Sequence, residues 1–488
     1  MTPAPVLLRA VRRLGSDEPV DLLVRDGRIA AIGPDLPAPA DVEVLDYDGR
    51  FVMSGLWDQH VHLTQWALAR QRLDVSGARS AAQAVRLVAQ RLAAGAPAGG
   101  AVLVGQGFRD GLWPDEPTVA ALDAVAGDVP VVLVSGDLHC AWASSAGLRH
   151  LGARRVDGLL REGDWLPLQG GVDRLPDEAA DALVTDALRA AAARGVVGVV
   201  DFEIADNLAV WRRRAAAGAP PVRVRAGVWQ PYLDRVLREE LHTGDAAVPG
   251  GLVEQGPLKV IVDGSLNTRT AWCDDPYPGT SDHGVLSVPS TELEPLLAHV
   301  HRHGLRAAVH AIGDAAVRLV LDAFEATGTR GSMEHAQLVG DRDLARFASL
   351  GVVASVQPQH LVDDRHVADR HWAGRTGRAF PYGALVRSGA SLALGSDAPV
   401  APLDPWLAID AAVHRAAPGD EPWHPEQSLD IRTALASSVD GHPLALAPGA
   451  PADLVLLDDD PLTLARTPGA LSDIRIHTTY LAGHPTSP

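Results

Sequence analysis

From about residue 190 the chain repeats one texture: a short apolar run, a polar loop and an Ala/Leu-rich stretch, as in GVVGVVDFE, VRVRAGVW, LKVIVDGS, LRAAVHAIGD, GSMEHAQ, GVVASVQP and ASLALGSDAP. Runs too apolar to alternate are strands buried on both faces, and strands that alternate with helices pair in parallel. Seven such strands follow residue 190 and one more, GLWDQHVHL (55–63), precedes it. Eight βα units predict an α/β fold of the (β/α)8 TIM-barrel type, with its reactive groups at the C-terminal ends of the strands. An open doubly wound sheet is the alternative, but no Gly-x-Gly-x-x-Gly follows an early strand to build a nucleotide site.

Residues 5–52 read as short strands broken by turns, with Asp26-Gly27 and Asp48-Gly49 as hairpin signals, and 452–458 and 474–483 return to strand character. The two ends are expected to form one small β-sandwich domain, 1–52 with 440–488, beside a barrel domain spanning 53–439. A barrel has no use for residues 64–190, which hold two further apolar strands, AVLVGQG and VPVVLVSG. That segment is expected to be an insertion after barrel strand 1, and because it starts at the C-terminal end of a strand, to cover the barrel mouth.

Charge narrows the partners. The 488 residues carry a formal net charge of -18, which repels phosphate backbones, so nucleic acid is excluded and a small-molecule substrate is expected. No apolar run reaches the roughly 18 residues that span a bilayer, and the first Arg residues follow a short apolar stretch, the reverse of signal-peptide order. Cys140 and Cys273 allow at most one disulfide, as in a reducing compartment. A cytoplasmic protein with no membrane partner is expected, with a homo-oligomer left open.

His60 and His62 are one residue apart on a strand, where a period of two turns both imidazoles to one face, the spacing of metal ligands. His299, His301 and His303 alternate as well, but in STELEPLLAHVHRHG, a helix with a capping box at Thr291/Glu294 and a stop at Gly304, where they are expected to splay apart. Three more candidates close barrel strands: His310, His335 and Asp397. Buried singly, each needs a partner; converging on one rim, all are satisfied by a divalent metal. Lys259 is the one lysine among 43 basic residues, so it is expected to do what a guanidinium cannot. Carbamylation by carbon dioxide and a Schiff base with a carbonyl substrate are the two such uses.

The order His-x-His on strand 1, Lys on strand 4, His on strand 5, His on strand 6 and Asp on strand 8 resembles that of binuclear members of the amidohydrolase superfamily. GLWDQHVHL, KVIVDGSLNTRTAW, VHAIGDAAV, EHAQLV, ASVQP, GSDAPVAPLDPW and the inserted WPDEPTVAALDAV are similar to the family-3 branch that includes N-substituted formamide deformylases. The resemblance implies a hydrolase that cleaves a carbon–nitrogen bond outside peptides with two divalent metal ions, zinc being the expected metal. It implies His60, His62 and Asp397 around one ion, His310 and His335 around the other, and carbamylated Lys259 bridging the two beside a hydroxide. Asp397 would take the proton of that hydroxide and pass it to the leaving nitrogen. Asp314 and Glu334 are candidates to orient imidazoles or to cap helices. His139 and Trp142 in the insertion, Arg269 after strand 4 and His360 after strand 7 are expected to meet substrate, and DDRHVADRHWAGR (363–375) to form a solvated loop or lid. The competing readings are a single-metal deaminase, a metal-free Schiff-base lyase using Lys259, and a scaffold without activity.

Overall fold

The apolar runs become the parallel strands of one curled sheet in the computed structural model, which describes residues 5–95, 97, 102–110, 113–135, 140–153, 159–161, 164–171 and 175–486. The strands are β1 (Leu56–Val61), β2 (Val196–Asp201), β3 (Arg223–Trp229), β4 (Val253–Ile261), β5 (Ala307–Ala311), β6 (Gly331–His335), β7 (Val353–Val356) and β8 (Leu392–Leu394). Each pairs in parallel with the next in chain order. Beyond β8 the chain returns to β1: Asp397 N–H donates to the His60 carbonyl and His62 N–H to the Ala398 carbonyl, both at 2.8 Å. The eight strands thus make a nearly closed barrel of the TIM type.

Burial explains why these strands look as they do. All six residues of β2, VVGVVD, are buried, which only a strand covered on both faces requires. Gly198 within it is obligatory, because a Cβ there would lie 2.2 Å from the Trp57 ring of β1. Helices cover the outside. Asp314–Thr327, after β5, buries Val317, Val320, Leu321 and Phe324 at helical spacing.

Packing divides the chain into two compact units, Met1–Leu63 with Thr185–Pro488, and Thr64–Val184. The first holds the barrel and a second sheet built from both termini, whose strands run in the order His484–Pro485, Ile476–Leu481, Leu454–Leu457, Phe51–Ser54, Val6–Arg13, Pro19–Arg25, Arg28–Gly33. Asp26-Gly27 makes the expected hairpin, with both residues at positive φ. Asp48-Gly49 also turns at positive φ, yet it joins no hairpin: Glu43–Asp46 and Phe51–Ser54 both run parallel to Val6–Arg13, one after the other along the same edge. The sheet is one hydrogen-bonded network that forks there, where the sequence led us to expect a sandwich.

The second unit is a five-stranded sheet in its own right, ordered Leu159–Arg161, Cys140–Ala143, Val131–Ser135, Leu103–Phe108, Leu73–Asp74. The two apolar strands read from the sequence, Leu103–Phe108 and Val131–Ser135, are both interior. Val131–Ser135 is wholly buried, with Leu133 in an apolar cluster shared with Val88, Phe108 and Trp142, and Val132 and Val134 in a second cluster with Trp165. Helices Ala81–Ala93, Val119–Ala126 and Ser145–Leu151 begin at Ser80, Thr118 and Ser144, whose hydroxyls accept the orphan N–H groups of the first turn.

Two local expectations change. The helix expected to open with a Thr291/Glu294 capping box spans Ser290–Arg302, is entered through Pro289 and has no side-chain cap. The stretch 363–375, expected as a loop or lid, is mostly helix: Pro358–His371 starts with Pro at its first turn, where the missing N–H costs nothing. Both cysteines are free and buried. Among the described residues no helix is long and apolar enough to cross a membrane.

Candidate metal centre

Every ligand candidate lies at the C-terminal end of a barrel strand. β1 ends at His60 and His62, and Asp58, two residues earlier on the same face, uses one carboxylate oxygen to accept the N–H groups of His60 and Ser396, both at 3.0 Å. That pairing ties β1 to the turn after β8. Gly395 permits it, since a Cβ there would come within 2.7 Å of the His60 nitrogen. Burial pushes the Asp58 carboxyl up to about 6.

His60 is 1% exposed and is met on both nitrogens: Nδ1 lies 2.7 Å from Glu334 Oε2, and Nε2 lies 3.3 Å from Lys259 Nζ and 3.5 Å from Asp397 Oδ1. The carboxylate of Glu334 fixes the ring proton on Nδ1 and leaves Nε2 with a lone pair. His62 Nε2 lies 3.6 Å from the same Asp397 Oδ1, and His360 Nε2 lies 3.7 Å from Asp397 Oδ2. His335 is held by Gln357, whose Oε1 is 2.8 Å from its Nδ1. Its ring sits 5.0 Å from that of His60 and 4.5 Å from that of His310. His310 turns Nε2 toward Asp263 Oδ1 and the Gly264 carbonyl, both at 3.3 Å, so its free nitrogen is Nδ1. Asp263 itself is anchored by the N–H groups of Trp272, Ile312 and Gly313.

Two of these residues stand in left-handed backbone, His335 at φ 75° and Asp397 at φ 58°, which costs about 1–3 kcal/mol each and persists only where surrounding contacts enforce it. At His335 the consequence is direct. Glu334 and His335 are neighbours, so strand alternation would turn only one of them inward; the positive φ lets both reach His60.

The residues fit a divalent ion. The ligand atoms of His60, His62 and Asp397 lie within 4.8 Å of one another, as do those of His335, His360 and Asp397. Burial drives His62 and His360 down to about 4 and His60 and His335 well below the ordinary imidazole range, with the Lys259 charge adding to the effect on His60, His62 and His335. Imidazoles that stay neutral keep the lone pairs a metal needs. Lys259 is 2% exposed, its Nζ lies 4.6 Å over the Phe202 ring, and burial lowers it to about 8 against the pull of Glu334 and Asp397. Asp397 is raised to about 7, by burial first and then by Asp58 and Glu334.

Trp142 is fully buried inside the second unit, its Nε1–H donating to the Thr118 carbonyl at 2.9 Å, so it is a packing residue and not the substrate contact expected of it. His139 lies outside the described residues. Arg269 is exposed on the loop after β4. Asp314 accepts the Asp274 N–H and faces Arg378, away from the imidazoles, so of the two orienting candidates only Glu334 acts on one. Asp58, Asp263 and Gln357 support the site without having been singled out by sequence. Asp263 carried the one available signal, standing four residues after Lys259 at the end of the same apolar run.

A TIM-type barrel that gathers imidazoles, a carboxylate and a buried lysine on its C-terminal rim has the architecture of the metal-dependent hydrolases. The chain belongs to the amidohydrolase family, whose model matches residues 43–486, and it is therefore an enzyme. It is 29% identical to Protein LONG AFTER FAR-RED 3 of Arabidopsis thaliana, over 89% of this chain and 83% of that protein. It is 26% identical to the N-substituted formamide deformylase of Arthrobacter pascens, over 95% and 94% respectively. Among solved structures it is similar to an uncharacterized metal-dependent hydrolase from Pyrococcus horikoshii, with a TM-score of 0.79, 27% identity and coverage of 94% of this chain and 98% of that one.

Proposed function

We propose that this amidohydrolase cleaves a non-peptide carbon–nitrogen bond of the N-substituted amide or formamide kind, using two divalent ions, with zinc as the expected metal. The observation that carries the reading is Asp397, whose Oδ1 faces His60 and His62 while Oδ2 faces His360. When bound, such ions polarise a carbonyl and make a water acidic enough to be a nucleophile at neutral pH. His60, His62 and Asp397 would hold one ion, His310 and His335 the other, and carbamylated Lys259 would serve both.

The chain's own residues do the rest. Glu334 and Gln357 hold His60 and His335 in the tautomer that presents Nε2. Asp397, raised toward neutrality by burial, takes a proton from the attacking water and returns it to the departing nitrogen, which leaves only as the neutral amine. Lys259, lowered by burial, has a neutral fraction whose nitrogen can add to carbon dioxide and lose a proton, giving a carbamate in place of an ammonium that would repel two dications. The 64–190 segment, starting directly after β1, is assigned to substrate selection at the mouth, with 53–439 as the catalytic domain and 1–52 with 440–488 as a supporting β domain. Two free, buried cysteines support a cytoplasmic location.

The test is a metal count on purified protein together with turnover of N-formyl and N-acyl amines. Two ions per chain with hydrolysis of at least one such substrate supports the reading; one ion points to a mononuclear deaminase, and none, with activity resistant to chelators, to Schiff-base chemistry at Lys259.

A further inference from the structure

The sheet built from both termini and the helix Ile431–Ala436 form a groove of about 510 Å³, lined among others by Arg13, Ser16, Val52, Arg432, Ala436 and Leu444. That volume is in the range of small-molecule sites, and the groove shares no residue with the metal rim. One wall is apolar: Val52 is buried, and Leu444 and Leu446 are half-buried.

The charge of the groove runs against that of the chain. Acidic residues outnumber Lys and Arg by 61 to 43, yet two arginines line the groove and no Asp or Glu does. Arg9 and Arg50 of the same terminal domain pair with Asp21 and Asp458 at 2.6 and 2.8 Å. Among the described residues the guanidiniums of Arg13 and Arg432 have no such partner. Asp430, close to Arg432 in sequence, is spent on the first turn of its own helix, accepting the Thr433 N–H and hydroxyl at 3.0 and 2.5 Å. Arg432 reaches the turn that follows Arg13: its Nη2 stands 2.7 Å from where a Cβ of Gly15 would be. On that turn Ser16 Oγ accepts the Glu18 N–H at 3.3 Å, which leaves its own O–H to donate. A cleft with one sign of charge over apolar walls concentrates ions of the opposite sign.

We propose that this groove binds a small organic anion, with a carboxylate or phosphate head on Arg13, Arg432 and Ser16 and a hydrocarbon body along Val52, Ala436 and Leu444–Leu446. The planar fork of a guanidinium matches two oxygens of either head. The apolar wall rewards a hydrocarbon and offers a polyol nothing to bond.

Calorimetric titration of the metal-loaded protein with octanoate and with octyl phosphate tests it. Saturable binding of one molecule per chain is expected for at least one of them, and the tighter of the two names the head. Shortening its chain should weaken binding by about fourfold for each methylene that leaves the groove. Octylammonium, with the same tail and the opposite charge, should not bind. Arg13→Met and Arg432→Met should each cost about tenfold or more in affinity, the loss of a charge-assisted hydrogen bond. Ala436→Glu, which sets an acid in the groove, should abolish binding. All three positions are exposed, so the variants are expected to fold as wild type does, with circular dichroism as the check. An anion held at the metal rim instead would be indifferent to these substitutions, so unchanged affinity in all three overturns the proposal. Octylammonium binding as tightly as octanoate, or no saturable binding of either anion, overturns it as well.

Discussion

Two stretches of this chain alternate histidine with another residue, and only one of them builds a site. His60 and His62 end a barrel strand and share Asp397 Oδ1 at 3.5 and 3.6 Å. His299, His301 and His303 end a helix, where residues four apart meet: the rings of His299 and His303 are 4.7 Å apart, and His303 Nδ1 bonds the His299 carbonyl at 2.9 Å. The expectation that all three would splay apart thus holds for His301 only. The first pair is carried inward to buried partners on other strands, and the second meets along its own helix end, with His303 exposed. Convergence of imidazoles follows from where an element ends and what faces it, not from their presence in the sequence.

The largest effect should come from the carboxylate that joins the two halves of the first cluster. Asp397→Asn removes the proton carrier and one negative charge, and kcat is expected to fall by about 10²–10⁴-fold; steady-state kinetics near the wild-type value would remove Asp397 from the mechanism. Lys259→Arg keeps the charge but cannot form a carbamate, so metal affinity should drop by more than the about 10–100-fold of a lost supporting group. Lys259→Ala should lose activity too, and regain part of it with zinc and a short carboxylic acid. An arginine variant with full metal content and turnover would make the lone lysine an accident of composition.

Glu334→Gln should cost about 10–100-fold in metal affinity, because an amide supports the His60 tautomer less strongly than a carboxylate, while the thermal midpoint of the metal-free protein changes little. Dialysis against a competing chelator would measure it. The smallest effect belongs to the control: His299→Ala with His303→Ala should leave metal content and kcat/KM unchanged and shift stability by no more than about 0.5 kcal/mol. A loss of bound metal in that double variant would erase the contrast between strand and helix histidines.

Much of the barrel was legible in the residues. Strands buried on both faces must be apolar throughout, so β2 in the barrel and Val131–Ser135 in the second unit announce themselves, and the ends of β1, β5 and β6 and the turn after β8 mark the rim where His60, His310, His335 and Asp397 stand. Legibility fails where the outcome depends on another part of the chain. Trp142 in its apolar strand looks the same whether it lines a pocket or fills a core, and only packing against Phe108 and Trp113 puts it in the core. Helix Pro358–His371 reads as a charged loop because its polar face outweighs the few residues it buries, His360 among them.

Sequence periodicity reports which face of one element a residue occupies, and it therefore determined the α/β barrel and the shared face of His60 and His62, while composition marked the singular Lys259. It has no term for the sign of φ at a strand end or for which elements closure brings together. Tertiary structure alone decided that Glu334, 274 residues from His60 in sequence, would fix its tautomer, and that left-handed backbone would turn His335 and Asp397 into the site. It also decided that His360 would stand against Asp397, because only a closed ring of strands places the end of β7 beside the turn that leaves β8.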